Sequence, residues 1–222
     1  MAAIAMGIID GTGAFRDSTY SKEMEHSFCK QLDDGLSGAS YYQQGPWADG
    51  LNDGFKASRT VDWLKQQRAA NQAVRVMLAG YSRGAATVMA VAELLGRDDI
   101  PVDSMFLFDA VARHILVTGR SISPNVQYCR HAMRSQDPAF VRKYETYLFD
   151  NKWTGSWPSP FASNVTRPWF SNVGGDTGAC KNYRNQTFLG SHGALGGVGW
   201  KTVPEDEPAQ KQVALWTMKT NF

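Results

Sequence analysis

The 222-residue chain lacks several things that would have fixed its class at once. Cysteine is scarce: Cys29, Cys129 and Cys180 are odd in number, widely spaced and free of any C-x-x-C or nearby histidine pairing. That pattern argues against a disulfide framework or a structural zinc site and reads as buried or free thiols. An excess of one charge is missing too. The 23 basic and 21 acidic residues interleave to a net charge of +2. There is no electrostatic footprint for nucleic acid and no polybasic patch for anionic membranes, so any transient membrane contact has to run through apolar or aromatic groups. No run reaches the roughly eighteen unbroken apolar residues of an integral membrane segment. The opening MAAIAMGIID has no basic leader and meets Asp10 early, which predicts a chain made in the cytoplasm without a signal peptide and exported, if at all, by a signal-independent secretion system. Repeats and low-complexity tails are absent, and the length suits one α/β domain over 1–222.

What is present centres on 74–96, VRVMLAGYSRGAATVMAVAELLG. An apolar run, a glycine-flanked pentapeptide and an alanine-rich apolar run predict a buried strand, a tight turn and a buried helix. The turn, Gly80-Tyr81-Ser82-Arg83-Gly84, has the G-x-S-x-G spacing. A serine on a strained strand-to-helix bend needs neighbours without side chains two residues to either side. The bend lifts its hydroxyl above the sheet, with the positive end of the helix beneath it. The bland alternative is that Ser82 merely caps the helix.

Around that stretch the chain predicts an open, mostly parallel sheet with helices on both faces, an α/β-hydrolase-like fold. Residues 3–9 form a continuous apolar strand that delivers Asp10-Gly11-Thr12-Gly13 to the carboxyl edge. That loop half-matches a dinucleotide fingerprint, but Arg16 stands in the third glycine's place. Backbone N–H groups of Gly11 or Thr12 serve better as half of an oxyanion hole beside the serine turn. Residues 14–50 read as loop with a short helix and a brief strand at 40–42, and Asp33, Asp34, Asp49 and Asp53 as solvated turn acids rather than a calcium loop. A one-sided helix covers 53–71. The next strand, 100–110, ends in Asp109. A further strand covers 126–132, a mixed helix 139–149, a short last strand 187–190 and a closing helix 208–219. Between them lies the oddest composition in the chain, 153–170, rich in both proline and aromatics. It suits either an aromatic lid folded over a cleft or a fixed plug on the core.

A serine hydroxyl attacks acyl groups only with a base in reach and an acid to orient that base. Histidine is another scarcity, with four in all. His26 precedes the serine, His114 lies too close to Asp109, and His131 falls within a strand where a structural histidine bonded to backbone is expected. His192, in the glycine-rich 190–197, fits the chain order Ser, Asp, His. The reserve acids are Asp137, Asp150 and Asp176. The expected catalytic set is therefore Ser82, Asp109 and His192, with the oxyanion held by the N–H of Arg83 and of Gly11 or Thr12. Tyr81, Trp157, Phe161 and Trp169 would line an apolar acyl pocket. The chemistry calls for no metal and no cofactor.

The series IIDGTG, GYSRGA, FDAV, NVQYCRHAM with Phe140 downstream, and WFSNVGGDTG to GSHGALGGVGW resembles the α/β-hydrolase family that includes phospholipase effectors of bacterial type VI secretion. The family pattern is a D-G-T opening, a G-F-S-R-G-A elbow, a D-T-V strand end and a G-x-H-x-D-V-G-G-G loop. The resemblance spans nearly the whole chain and implies Ser82 as nucleophile, Asp109 as orienting acid, His192 as base, and Arg83 as a lock on the elbow. This chain departs in having Ala194 where the family carries an acid two residues after the histidine, and in being compact. The substrate expected is a small-molecule or lipid ester. A thioesterase, an amidase, or a non-catalytic hydrolase-like module that presents the aromatic loop to a partner are the alternatives.

Overall fold

The computed structural model describes residues 3–13, 17–46, 52–112, 121–145, 171–172, 179–199, 201 and 203–218. Its elements run β1 (Ile4–Ile9), α1 (Asp17–Glu23), α2 (Phe28–Gly35), β2 (Ala39–Gln43), α3 (Asp53–Ala70), β3 (Arg75–Tyr81), α4 (Arg83–Arg97), β4 (Val102–Phe108), β5 (Val111–Ala112), β6 (Val126–Arg134), α5 (Pro138–Glu145), β7 (Ser171–Asn172), β8 (Asn182–Phe188), α6 (His192–Leu195) and α7 (Asp206–Met218). Six strands form one sheet in the order β2-β1-β3-β4-β6-β8, and every neighbouring pair is parallel. The short β5 and β7 pair antiparallel in a separate ribbon.

The central strands are continuous apolar runs because both their faces are covered. Alternation along each strand divides the core in two. Ala5, Ile9, Val76, Leu78, Met105 and Leu107 pack against α3 and α4. Met6, Ile8, Met77, Ala79, Phe106 and Phe108 pack with residues of α2, α6 and α7 on the other face. Leu78 is fully buried at the centre, and truncating such a residue to alanine costs about 2–5 kcal/mol. The fold is α/β-hydrolase-like, with helices on both faces of a parallel sheet.

From β1 the chain moves outward to β2, whereas from β3 it moves the other way to β4. The direction of winding thus reverses between β1 and β3. Such a reversal opens a crevice at the carboxyl ends of the two strands, and the loops that follow β1 and β3 carry Gly11-Thr12 and Ser82.

Several details differ from the reading of the sequence. Two helices rather than one precede β2. The last strand begins at Asn182, five residues early, because its polar residues lie on an exposed edge and pair through backbone alone. Asp53 is buried at the start of α3 and is not a solvated turn acid. The glycine-rich stretch after β8 holds a short buried helix, α6. The three cysteines are buried thiols outside any disulfide. The proposed lid 153–170 with Trp157, Phe161 and Trp169, together with Asp49, His114, Asp150 and Asp176, lies outside the described residues. Among the described residues, no helix is long and apolar enough to cross a membrane.

Candidate active site

Ser82 stands between the last residue of β3 and the first of α4 with φ 57° and ψ −125°. A non-glycine residue in that region is strained and persists only where its surroundings hold it. Here the Ser82 N–H donates to the Phe108 carbonyl at 2.9 Å, and its own carbonyl accepts from Val111 N–H at 3.1 Å. The bend is also too tight for side chains on either flank. A Cβ on Gly80 would lie 2.6 Å from Ala85 Cα, and one on Gly84 would lie 2.2 Å from the carbonyl oxygens of Ile9 and Asp10. Gly80 lets the end of β3 pack on the start of α4, and Gly84 lets α4 press directly on the end of β1.

Asp109 follows β4 at φ 41°, a second strained non-glycine position. Its N–H donates to Ala132 O at 2.7 Å, and its Oδ1 accepts from Arg134 N–H at 3.1 Å. Backbone from β6 therefore fixes the carboxylate while Oδ2 faces His192 Nδ1 at 2.7 Å. The other ring nitrogen, Nε2, lies 2.8 Å from Ser82 Oγ. With a carboxylate at Nδ1, the proton belongs on Nδ1 and the lone pair of Nε2 faces the serine hydroxyl. Ser82, Asp109 and His192 are 8%, 2% and 3% exposed, so the contacts form in a low-dielectric setting that strengthens them.

His192 is held from two sides. Ser191 caps α6 by accepting from Ala194 N–H at 3.1 Å. Its own N–H and hydroxyl donate to the buried Asp206 carboxylate at 2.7 and 2.6 Å. Tyr81, expected to line an acyl pocket, is instead buried beneath the histidine. The two rings lie 5.0 Å apart, and the phenol donates to His192 O at 3.1 Å. Its place on the face of β3 that packs with α2 and α6 commits the ring to support.

The other histidines lie elsewhere. His131 is 1% exposed; its Nε2 accepts from Ala110 N–H at 3.2 Å, so it props the loop after Asp109. His26 is on the surface, where its carbonyl accepts from Gln31. The reserve acid Asp137 caps α5 through Ala139 and Phe140 N–H.

The loop after β1 carries a group that the sequence reading passed over. Asp10 is fully buried. It accepts from its neighbour Gly11 N–H at 2.7 Å, from Tyr42 OH at 2.8 Å and from the Ser27 hydroxyl. Burial outweighs the pull of those three donors and raises its carboxyl from the usual 3.8 to about 6. Tyr20 joins the same cluster, donating to Gly11 O and accepting from Gly45 N–H, each at 2.7 Å. Burial, with the Asp10 charge nearby, raises both phenols well above their ordinary range. The signal was visible: Asp10 ends an apolar strand just as Asp109 does. Asp206, also missed, looks in sequence like any acid in a helix's first turn. Among the described residues, no cluster of three or more histidines, cysteines or acids could hold a metal ion.

No protein-family model matches the chain, and no curated protein matches its sequence. Solved structures do. The thioesterase domain of NocB, determined as a covalent complex with a fluorophosphonate nocardicin G analogue, aligns over 96% of this chain and 95% of its own at 12% identity and a TM-score of 0.49. A thioesterase from the prodiginine biosynthetic pathway of Streptomyces coelicolor aligns over 99% and 87% at 13% identity and 0.44. A cutinase-like protein from Cryptococcus sp. aligns over 47% of this chain at 22% identity and 0.33; the chain spans 52% of that protein's length.

Proposed function

We propose that the chain is a serine hydrolase that cleaves carboxylic esters through an acyl-enzyme. The observation that carries the reading is the unbroken line of contacts from the Asp109 carboxylate through both His192 nitrogens to Ser82 Oγ. In this mechanism His192 Nε2 takes the hydroxyl proton as Ser82 Oγ bonds to the ester carbonyl carbon, whose π electrons move onto oxygen. Asp109 steadies the imidazolium. The tetrahedral intermediate collapses by breaking the bond to the alkoxy oxygen, which leaves as alcohol with the proton from His192. Water then repeats the cycle on the acyl-enzyme and releases the acid.

The oxyanion is assigned to the Arg83 N–H at the start of α4, on the residue after the nucleophile, and to an N–H of the β1 loop. Gly11 N–H already donates to Asp10, so Thr12 is the preferred second donor. Such a donor is worth roughly 3–4 kcal/mol in related chemistry.

The finer reading is that the substrate is a lipid-like or phospholipid acyl ester. Its support is the aromatic composition of 153–170, from which Trp157, Phe161 and Trp169 would meet an acyl chain. The motif resemblance would further make the chain a secreted effector of a bacterium. A panel of chromogenic esters, thioesters, amides and intact phospholipids, run beside Ser82→Ala, tests both levels. Ester turnover lost in the variant is expected; turnover that survives Ser82→Ala overturns the hydrolase reading. Turnover of thioesters or amides with esters untouched overturns the ester assignment.

A further inference from the structure

Away from the carboxyl edge, the lower half of the sheet holds a cavity of about 180 Å³ between β4, β6 and β8. Parallel register sets Ser104, Tyr128 and Asn182 in one row, and Phe106, Arg130 and Arg184 in the next. Period-2 alternation places all six side chains on the face that also carries α7. Ser104 lies five residues before Asp109, about 16 Å along the strand, so the cavity is separate from the candidate active site.

Three features of this cavity point to one ligand chemistry. First, Arg130 and Arg184 are register partners on neighbouring strands, and like charges directly opposite each other destabilise a sheet. Arg130 leans its guanidinium over the Trp216 ring at 5.3 Å, and neither arginine has a carboxylate partner among the described residues. Second, among the described residues no acid lines the cavity; Ser104, Tyr128, Asn182 and the two arginines can all donate hydrogen bonds. Third, Ser104 is 1% exposed, yet its hydroxyl has no hydrogen-bond partner among the described residues. A buried polar atom left without a partner is costly and asks for an explanation.

We infer that the cavity binds a phosphate group, carried on a small molecule or a headgroup. A tetrahedral oxyanion can accept from both guanidinium forks, relieve their mutual repulsion and give the Ser104 hydroxyl an acceptor. The site is independent of ester cleavage, so it stands or falls apart from Ser82.

The test is titration of the full chain with inorganic phosphate by calorimetry, in a buffer free of other oxyanions. Saturable binding is expected, weakened at least tenfold in Arg184→Gln and several-fold in Ser104→Ala, with ester turnover and melting temperature held and with Ser82→Ala binding as the parent does. A second arm uses phosphatidylcholine vesicles with and without phosphatidic acid. Co-sedimentation that needs phosphatidic acid and is lost in Arg184→Gln identifies a headgroup; phosphate binding without co-sedimentation identifies a soluble phosphorylated ligand. No saturable phosphate binding by the parent chain, or equal binding by Arg184→Gln, overturns the inference.

Discussion

Asp10 and Asp109 occupy equivalent places: each ends a buried parallel strand at the carboxyl edge of the sheet, and each is within 2% of complete burial. Their surroundings differ in one respect. Asp109 faces an imidazole that can become a cation, whereas Asp10 faces two hydroxyls and a backbone N–H, all neutral. A buried carboxylate opposite a histidine can trade charge with it during a reaction. One ringed by neutral donors can only be held, and its carboxyl rises toward neutrality instead. Position in the fold therefore gives an acid the opportunity for chemistry, and its partner decides whether it has any. On this view Asp10 shapes the β1 loop that would supply Thr12 N–H, and Asp109 serves the reacting histidine.

Ser82→Ala should lower kcat by a factor on the order of 10⁶, down to background, as measured by steady-state ester hydrolysis. Asp109→Asn should lower kcat by about 10⁴ with the fold intact, because an amide no longer orients the Nδ1–H tautomer. An equal loss in Asp10→Asn would erase the distinction between the two acids.

The Asp10 carboxyl, raised to about 6, binds its proton more tightly folded than unfolded. Its contribution to stability is thus fully present below the ordinary carboxylate range and is lost as pH rises through about 6. Denaturation in urea should show stability falling across that window by up to about 3 kcal/mol from this group. Asp10→Asn should flatten that slope while retaining activity within about tenfold. Smallest of the four, Ser191→Ala removes the cap and hydroxyl contact beside His192. It should cost about 1 kcal/mol in stability and lower kcat up to about tenfold with KM unchanged, a split that marks positioning rather than binding.

The parts legible in the sequence were those fixed by local pattern. The continuous apolar runs of β1, β3 and β4 announce strands buried on both faces, and Gly80 and Gly84 announce a bend that tolerates no Cβ. The G-x-S-x-G spacing singles out Ser82, the end of an apolar strand Asp109, and chain order His192, and in the structure His192 lies within hydrogen-bond distance of both Asp109 and Ser82. What escaped were features set by tertiary pairing. β8, NYRNQTF, is a polar edge strand whose hydrogen bonds come from β6, so its own residues carry little strand signal. Tyr81 reads as a pocket aromatic because nothing local says that His192 will sit on it. Asp206 reaches Ser191 across fifteen residues, and Ser27 and Tyr42 reach Asp10 from separate elements. No period or spacing in the chain encodes those meetings.

The most direct measurement is covalent labelling of the folded protein by a fluorophosphonate, followed by mass mapping of the adduct. One adduct is expected, on Ser82, formed rapidly in the parent chain and at least a thousandfold more slowly in His192→Ala. Labelling at another residue, or labelling of Ser82 at the same rate without His192, would contradict the proposed mechanism.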